Sequence, residues 1–191
     1  MRIALNLKKL PYEREFIHLR RKDNVSDSYL ALNPQGLVPA LVDDDGTVLS
    51  QSMAMIEYLE ETRPEGPSFL PSDPRGRARV RAISQAIACD IHPLNNLRVL
   101  RHLGTAFGIE EAARNELWYK HWIDEGLKGL EGMLTSPDTG RHVQGDTPTM
   151  ADICLVPQVY NAQRFGCDLS AFPTVLAINE TCVAMDAFRA A

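Results

Sequence analysis

Residues 33–61 read NPQGLVPALVDDDGTVLSQSMAMIEYLEE, and this stretch decides the fold of the first third of the chain. Its opening NPQG predicts a turn, because proline fixes φ and glycine accepts a positive φ. Two short apolar runs, 38–42 and 47–49, then flank an acidic DDDG turn, as is typical of a β-hairpin. Apolar residues at helical spacing follow and predict a helix over about 51–63. The stretch therefore predicts a turn, a hairpin and a helix in succession.

The residues around this stretch predict a two-domain chain. Residues 16–19 are a candidate strand, and Ser26 is a candidate cap for a short helix that continues to Leu32. The segment 63–74 contains four prolines and one glycine, so no regular element is expected there. We expect a small α/β domain over 1–63, a linker over 64–74 and an all-helical domain over 75–191.

Three helical segments are predicted in the second domain. The first spans about 75–107 and is interrupted by Pro93, next to His92. The second spans about 109–134, and its core candidates are Leu117, Trp118, Trp122, Ile123, Leu127, Leu130 and Leu134. The third is a long apolar helix that begins at Thr149 and Asp152, which have the spacing of a capping box.

Composition limits the classes of protein to which the chain can belong. With 45% hydrophobic residues it can bury a core, and its net charge of −5 argues against a nucleic-acid binder. None of the four cysteines is in CxxC spacing, so we expect free thiols in a reducing cytoplasm and no metal site. No apolar run is long enough to cross a membrane, and residues 1–10 lack the core of a signal peptide.

The motifs together resemble the zeta class of glutathione transferases, the class that contains maleylacetoacetate and maleylpyruvate isomerases. The resemblance extends over nearly the whole chain and implies a thioredoxin-like α/β N-terminal domain followed by an all-α C-terminal domain. It rests on segments that follow one another in the family's order: 33–41, 51–52, 56–60, 90–97 (DIHPLNNL), 145–152 (GDTPTMAD) and 156–165 (VPQVYNAQRF).

Glutathione is the cofactor that this resemblance implies. Gln51 and Ser52 lie where a strand ends and a helix begins, so free backbone N–H groups and the helix dipole favour an anion there. In the family this position holds the γ-glutamyl end of glutathione; the alternative is that Ser52 only caps its helix. The resemblance also implies a cis peptide bond between Val38 and Pro39, which turns the backbone of Val38 toward the ligand.

Three more glutathione contacts are implied in the same way, at Asn24, His92 and Asn96. For His92 the resemblance favours a ligand contact over general-base catalysis. A single histidine is more often a structural residue, so that alternative stays open.

Arg98 and Arg164 are the candidates for binding substrate. A guanidinium group pairs with a carboxylate in a bidentate way, and maleyl keto acids carry two carboxylates. The alternative is a solvated helix face, an interpretation that we apply to the arginines at 75, 77, 79 and 81.

Zeta-class chains normally begin with a strand and a Ser-Ser-x-x-x-Arg segment that carries the catalytic serine. This sequence begins at residues 1–5, MRIAL, which correspond to the inside of the family's first helix. We therefore expect a truncated thioredoxin-like domain and assign no catalytic residue.

The resulting hypothesis is a cytoplasmic homodimer that isomerises maleylacetoacetate, a small dianionic keto acid, with glutathione as cofactor. Alternatives are a maleylpyruvate isomerase, a general glutathione transferase and a non-catalytic glutathione-binding protein. Neither a nucleic-acid partner nor a membrane is expected.

Overall fold

The computed structural model describes all 191 residues and divides into two compact units, Met1–Pro67 and Ser68–Ala191. The division falls within the proline-rich segment.

The first unit contains three helices and one hairpin. The hairpin strands are antiparallel, with Leu41 opposite Leu49, and the helix predicted over about 51–63 follows directly. The elements in chain order are α1 (Arg2–Leu7), two 3₁₀ turns (Leu19–Arg21 and Asp23–Val25), α2 (Asp27–Leu32), β1 (Ala40–Val42), β2 (Val48–Ser50) and α3 (Ser52–Thr62). The predicted hairpin and the short helix capped by Ser26 are confirmed.

The strand predicted over 16–19 is wrong. The ring of Phe16 is 81% exposed, and the chain continues into the first 3₁₀ turn instead of pairing with another strand. Nearby side chains satisfy the backbone N–H groups there: the Asp23 carboxylate accepts the N–H of His18 at 3.0 Å, and His18 Nδ1 accepts the N–H of Arg21 at 3.3 Å. Side chains that bond to nearby backbone compete with strand pairing, and no apolar face compensates here.

A buried lysine anchors the far end of α3. The side chain of Lys8 is 1% exposed, and its Nζ donates to the carbonyl oxygen of Arg63 at 2.7 Å. The Glu60 carboxylate lies 3.6 Å from the same nitrogen. Because a buried cation needs such partners, α1 holds the C-terminal end of α3 in place.

Outside its loops the second unit is helical, as predicted. The helices in chain order are α4 (Pro74–Gln85), α5 (Leu97–Phe107), α6 (Glu111–Arg114), α7 (Lys120–Leu134), α8 (Met150–Arg164), α9 (Pro173–Val183) and α10 (Asp186–Arg189). Helix α8 is the centre of the unit: it packs against α4 and α9, and most of its residues are buried.

The predicted interruption near His92 is confirmed. Helix α4 continues as a π-helical segment, Ala86–Ile91, and then as a 3₁₀ turn, His92–Asn95. Helix α7 passes close to this segment at Gly126, where a Cβ atom would lie 2.4 Å from Cγ1 of Ile91. A glycine is therefore needed at this crossing.

The core candidate Leu117 is wrong, since its side chain is 74% exposed. It lies in a second π-helical segment, Asn115–Tyr119, that leads into α7. Leu117 does not share the buried stripe of the other leucines, because a π-helical turn takes more residues than the 3.6 of an α-helix and shifts the side chains before it around the axis. The buried candidates are Ile123, Leu127, Leu130 and Leu134.

Arg79 is not a solvated surface residue as predicted. Its Nη1 donates to the carbonyl oxygen of Val143 at 2.5 Å and to Oε1 of Gln144 at 2.7 Å, while Nη2 donates to Oγ1 of Thr139 at 2.6 Å. The guanidinium group therefore ties α4 to the loop that precedes α8.

We expect Arg79→Ala to lower the free energy of unfolding by about 1–2 kcal/mol, because these polar groups lose a charged partner. Urea denaturation followed by circular dichroism measures the effect. Arg75→Ala is the matched control, since Arg75 lies exposed on the same helix. Equal stability of the two variants would contradict the structural role of Arg79.

Candidate active site

The hairpin brings two predicted site segments together. Ala40 pairs with Ser50, so Pro39 lies opposite Gln51 across the open end of the hairpin. The peptide bond between Val38 and Pro39 is cis, as the family resemblance implies. The backbone N–H and C=O of Val38 make no hydrogen bond, and this residue is 41% exposed. An unpaired donor and acceptor are thus presented next to the start of α3.

Three side chains fix the loop that carries Val38. Asn24 Nδ2 donates to the carbonyl oxygen of Gly36 at 2.6 Å. The Tyr29 hydroxyl and Asn33 Nδ2 both donate to the carbonyl oxygen of Leu37, each at 2.7 Å. Gly36 has φ +61°, a left-handed conformation that glycine adopts without strain. The loop is therefore held in place by hydrogen bonds within the protein itself.

Asn24 thus has a positioning role in the structure, in addition to the ligand contact predicted for it. Tyr29 and Asn33 were missed by the sequence analysis. The sequence does indicate the role of Asn33, since asparagine at the start of a turn commonly bonds to the backbone a few residues further on. Nothing in the sequence indicates the hydrogen bond of Tyr29.

Gln51 adopts an unusual backbone conformation, with φ 69° and ψ 110°. Such conformations are costly for a residue with a side chain and concentrate at functional sites. The side chain of Gln51 donates from Nε2 to Oε1 of Gln35 at 2.9 Å. This bond links the start of α3 to the turn that precedes Val38.

Ser52 is the first residue of α3, and Gln51 is its N-cap. The alternative in which Ser52 caps the helix is therefore wrong. The hydroxyl of Ser52 makes no hydrogen bond to the protein, and the N–H groups of Ser52 and Ala54 are also unpaired. A hydroxyl and helix N-terminal N–H groups together favour a carboxylate.

In the second unit, His92 is the first residue of the 3₁₀ turn, and Asn96 directly follows the turn. Asn96 is the N-cap of α5, and its Oδ1 accepts the N–H of Arg98 at 3.1 Å, which leaves its amide nitrogen for another acceptor. Desolvation lowers the pKa of His92 from its ordinary 6.5, although part of the side chain remains exposed. The imidazole is therefore mostly neutral at pH 7 and can donate or accept a hydrogen bond.

Asn95, between these two residues, was missed by the sequence analysis. It is buried, and neither its amide nitrogen nor its amide oxygen has a hydrogen-bond partner in the protein. Buried amides are almost always satisfied, so this amide is free to bond to a water or another small polar molecule. Its only signal in the sequence is a second asparagine beside Asn96.

Arg98 and Arg164 are both exposed, and neither guanidinium group makes an ion pair with a carboxylate. The guanidinium carbon of Arg164 lies 5.9 Å from the centre of the Phe165 ring. Arg98 is in the first turn of α5, and Arg164 is the last residue of α8. No hydrogen bond joins the two, so each is available to an anion.

Comparison with known proteins shows the family to which the chain belongs. Residues 1–62 match the family model described as glutathione S-transferase, N-terminal domain. A maleylpyruvate isomerase of Ralstonia sp is 50% identical over 192 residues, which cover 100% of this chain and 89% of that protein. A maleylacetoacetate isomerase of Rhizobium meliloti (strain 1021) is 51% identical over 191 residues, covering 100% and 88% respectively.

Solved structures agree. A holo maleylpyruvate isomerase, described as a bacterial glutathione S-transferase of the zeta class, has a TM-score of 0.94 at 50% identity, covering 98% of this chain and 88% of that one. A maleylacetoacetate isomerase of Methylobacterium extorquens AM1, with bound malonate and glutathione, has a TM-score of 0.95 at 44% identity, covering 98% and 87%. The chain belongs to the glutathione S-transferase family. Within that family it is a member of the zeta class, and the predicted fold class is confirmed.

The structure contains no helix with the length and apolar character that crossing a membrane requires.

Proposed function

We propose that the protein is a glutathione-dependent cis–trans isomerase of maleyl keto acids. The observation that carries the proposal is the juxtaposition, across the hairpin, of the unpaired Val38 backbone with the unpaired hydroxyl and N–H groups at the start of α3. A peptide with a free carboxylate is complementary to that arrangement. The whole-length similarity to isomerases of both maleyl substrates supports the reaction type.

The residues present fit glutathione. Ser52 and the N–H groups of the first turn of α3 would hold its γ-glutamyl carboxylate, and Gln51 lies beside them. The N–H and C=O of Val38 would pair with its peptide backbone. We assign Asn24, Pro39, His92 and Asn96 to glutathione binding on the strength of the family resemblance. The isomerase of M. extorquens has glutathione bound, which supports this assignment.

Bound glutathione supplies a thiol for reversible addition to a cis double bond, which makes that bond free to rotate. The contribution of the protein is orientation: the fixed loop around Val38 holds the glutathione backbone, so the thiol and the substrate meet in one geometry. Cationic side chains fix the other reactant. Binding energy from the carboxylates, which do not react, is thereby used to position the carbons that do.

The substrate that we propose is a small dianionic keto acid, bound by Arg98 and Arg164. Both guanidinium groups lack an internal carboxylate partner, so an incoming carboxylate does not have to displace one. Malonate, the second ligand in the M. extorquens structure, is itself a dicarboxylate.

Arg164→Ala should raise the KM for the maleyl substrate about 5- to 10-fold and leave the KM for glutathione nearly unchanged, because one charged hydrogen-bonding partner of the substrate is lost. Steady-state kinetics with each reactant varied in turn separates the two constants. Arg141→Ala, which removes an exposed arginine that donates no side-chain hydrogen bond, is the control. A rise in the glutathione KM instead would place Arg164 in the cofactor site.

Maleylacetoacetate is our first choice of substrate and maleylpyruvate the second; His92 and Arg98 fit the latter slightly better. The test is an isomerase assay of the purified protein with both substrates, with and without glutathione, and a conjugation assay with a general electrophile. Glutathione-dependent isomerisation of either maleyl substrate supports the proposal. Conjugation without isomerisation would indicate a general transferase, and glutathione binding with neither reaction would indicate a non-catalytic protein.

We also infer a homodimer in the cytoplasm. The family resemblance supports the dimer, and four cysteines without a disulfide suit a reducing compartment. Sedimentation analysis of the purified protein would show a mass near twice 21.3 kDa.

A further inference from the structure

A cluster of three metal-binding residue types is buried in the second unit, at the N-terminus of α8. His142 comes from the loop before that helix, Asp152 from its first turn and Cys182 from α9. The three residues are 3%, 0% and 0% exposed. The proposed isomerase mechanism uses none of them.

The distances between the candidate ligand atoms fit a tetrahedral metal ion. His142 Nδ1 is 3.4 Å from Asp152 Oδ1 and 3.4 Å from Cys182 Sγ, and Cys182 Sγ is 3.7 Å from Asp152 Oδ1. With ordinary zinc bond lengths, the edges of a tetrahedron that joins nitrogen, oxygen and sulfur ligands are about 3.3–3.6 Å. All three separations are close to these edges.

Charge also favours a divalent cation. The Asp152 carboxylate is held by neutral donors, namely the N–H of Val143 at 3.0 Å and the N–H and hydroxyl of Thr149 at 2.7 and 2.8 Å. The only ion-pairing group near it is His142, which carries charge only when protonated. A divalent cation with one carboxylate, one thiolate and one neutral imidazole has zero net charge, which suits a buried site.

We propose that His142 Nδ1, Asp152 Oδ1 and Cys182 Sγ form a zinc-type metal site that joins the loop before α8, α8 itself and α9. Mixed nitrogen, oxygen and sulfur ligands are typical of zinc. The bonds from Val143 and Thr149 to Asp152 orient that ligand, as outer-shell partners do in metal sites. When the metal binds, the Cys182 S–H bond gives way to a sulfur–metal bond and its proton is released to solvent.

The expectation that the chain has no metal site rested on cysteine spacing. Along the chain, Cys182 is 40 residues from His142 and 30 residues from Asp152, so no local motif contains all three ligands. Only the packing of α9 against α8 brings the thiol to the carboxylate.

The test is a titration of the metal-free full chain with Co²⁺, and then with Zn²⁺ in competition. One Co²⁺ per chain should bind, with a thiolate-to-cobalt charge-transfer band and the intense visible bands of tetrahedral coordination, and Zn²⁺ should abolish both. Cys182→Ser should remove the charge-transfer band. Loss of an outer-shell partner typically weakens metal binding by about 10- to 100-fold. Cys182→Ser and His142→Phe should each weaken Co²⁺ binding by more than that.

Cys89→Ser is the matched control, because Cys89 is an exposed thiol outside the cluster, and it should bind Co²⁺ like the parent chain. Circular dichroism of each metal-free variant checks that it is folded. Serine replaces sulfur with a group of similar shape, and a melting temperature close to that of the parent chain makes its binding result interpretable. The proposal is overturned if the folded parent chain gives no thiolate band, or if the folded cluster variants bind Co²⁺ as tightly as Cys89→Ser does.

Discussion

Asp152→Ala is expected to lower the free energy of unfolding by about 3–5 kcal/mol, the largest stability effect among the variants considered. The carboxylate is fully buried and accepts three hydrogen bonds from Val143 and Thr149. Alanine would leave those donors buried and unpaired, and it would also remove the Asp152 half of the capping box that opens α8. Because α8 is the central helix of its unit, this loss affects the packing of α4 and α9 as well.

Urea denaturation with excess chelator measures this effect independently of any metal. The matched control is Asp146→Ala, since Asp146 is an exposed aspartate of the same loop that accepts one hydrogen bond, from the N–H of Arg141. Asp146→Ala should cost less than about 1 kcal/mol. A loss that small for Asp152→Ala too would mean that the buried carboxylate contributes little beyond an ordinary cap.

The elements that sequence predicted correctly carry their signals within a few residues. The hairpin has its acidic turn, α8 has Thr149 and Asp152 three residues apart, and the helix interruption has Pro93. The strand predicted over 16–19 rested on amino-acid composition alone, and composition does not show whether a partner strand is present. Leu117 is apolar, but it lies in a π-helical segment where its side chain is exposed, and apolar character alone does not place a residue on the buried face of a helix.

In the candidate site, too, the residues that sequence predicts have local signals, and the residues that it misses act through contacts between distant parts of the chain. Gln51 and Ser52 are marked by the junction of strand and helix, so sequence alone predicts them as candidates. The roles of Tyr29 and Asn33 in fixing the loop, and of Arg79 in holding the loop before α8, depend on where the chain returns after folding. A single sequence carries no sign of such contacts, because they join residues through the fold and not through spacing.

The second large effect is expected for glutathione binding to Ser52→Ala, which should be weaker by about 1–3 kcal/mol, with a tenfold change in Kd for each 1.4 kcal/mol. The hydroxyl of Ser52 has no partner in the protein, so in our proposal its hydrogen bond is made to the carboxylate of the ligand. Removing it leaves that charged group one donor short. Calorimetric titration with glutathione gives the two affinities directly.

The same variant separates ligand binding from helix capping. If Ser52 capped α3, alanine would destabilise the protein by about 0.5–2 kcal/mol. Since Gln51 occupies the cap position and the Ser52 hydroxyl is unpaired, we expect the melting temperature of the ligand-free protein to stay unchanged or to rise slightly, because alanine favours a helix. Ser50→Ala, two residues earlier at the end of β2, is the control and should bind glutathione normally. Weaker binding with unchanged stability would support the proposed carboxylate site, whereas unchanged affinity in Ser52→Ala would remove Ser52 from it.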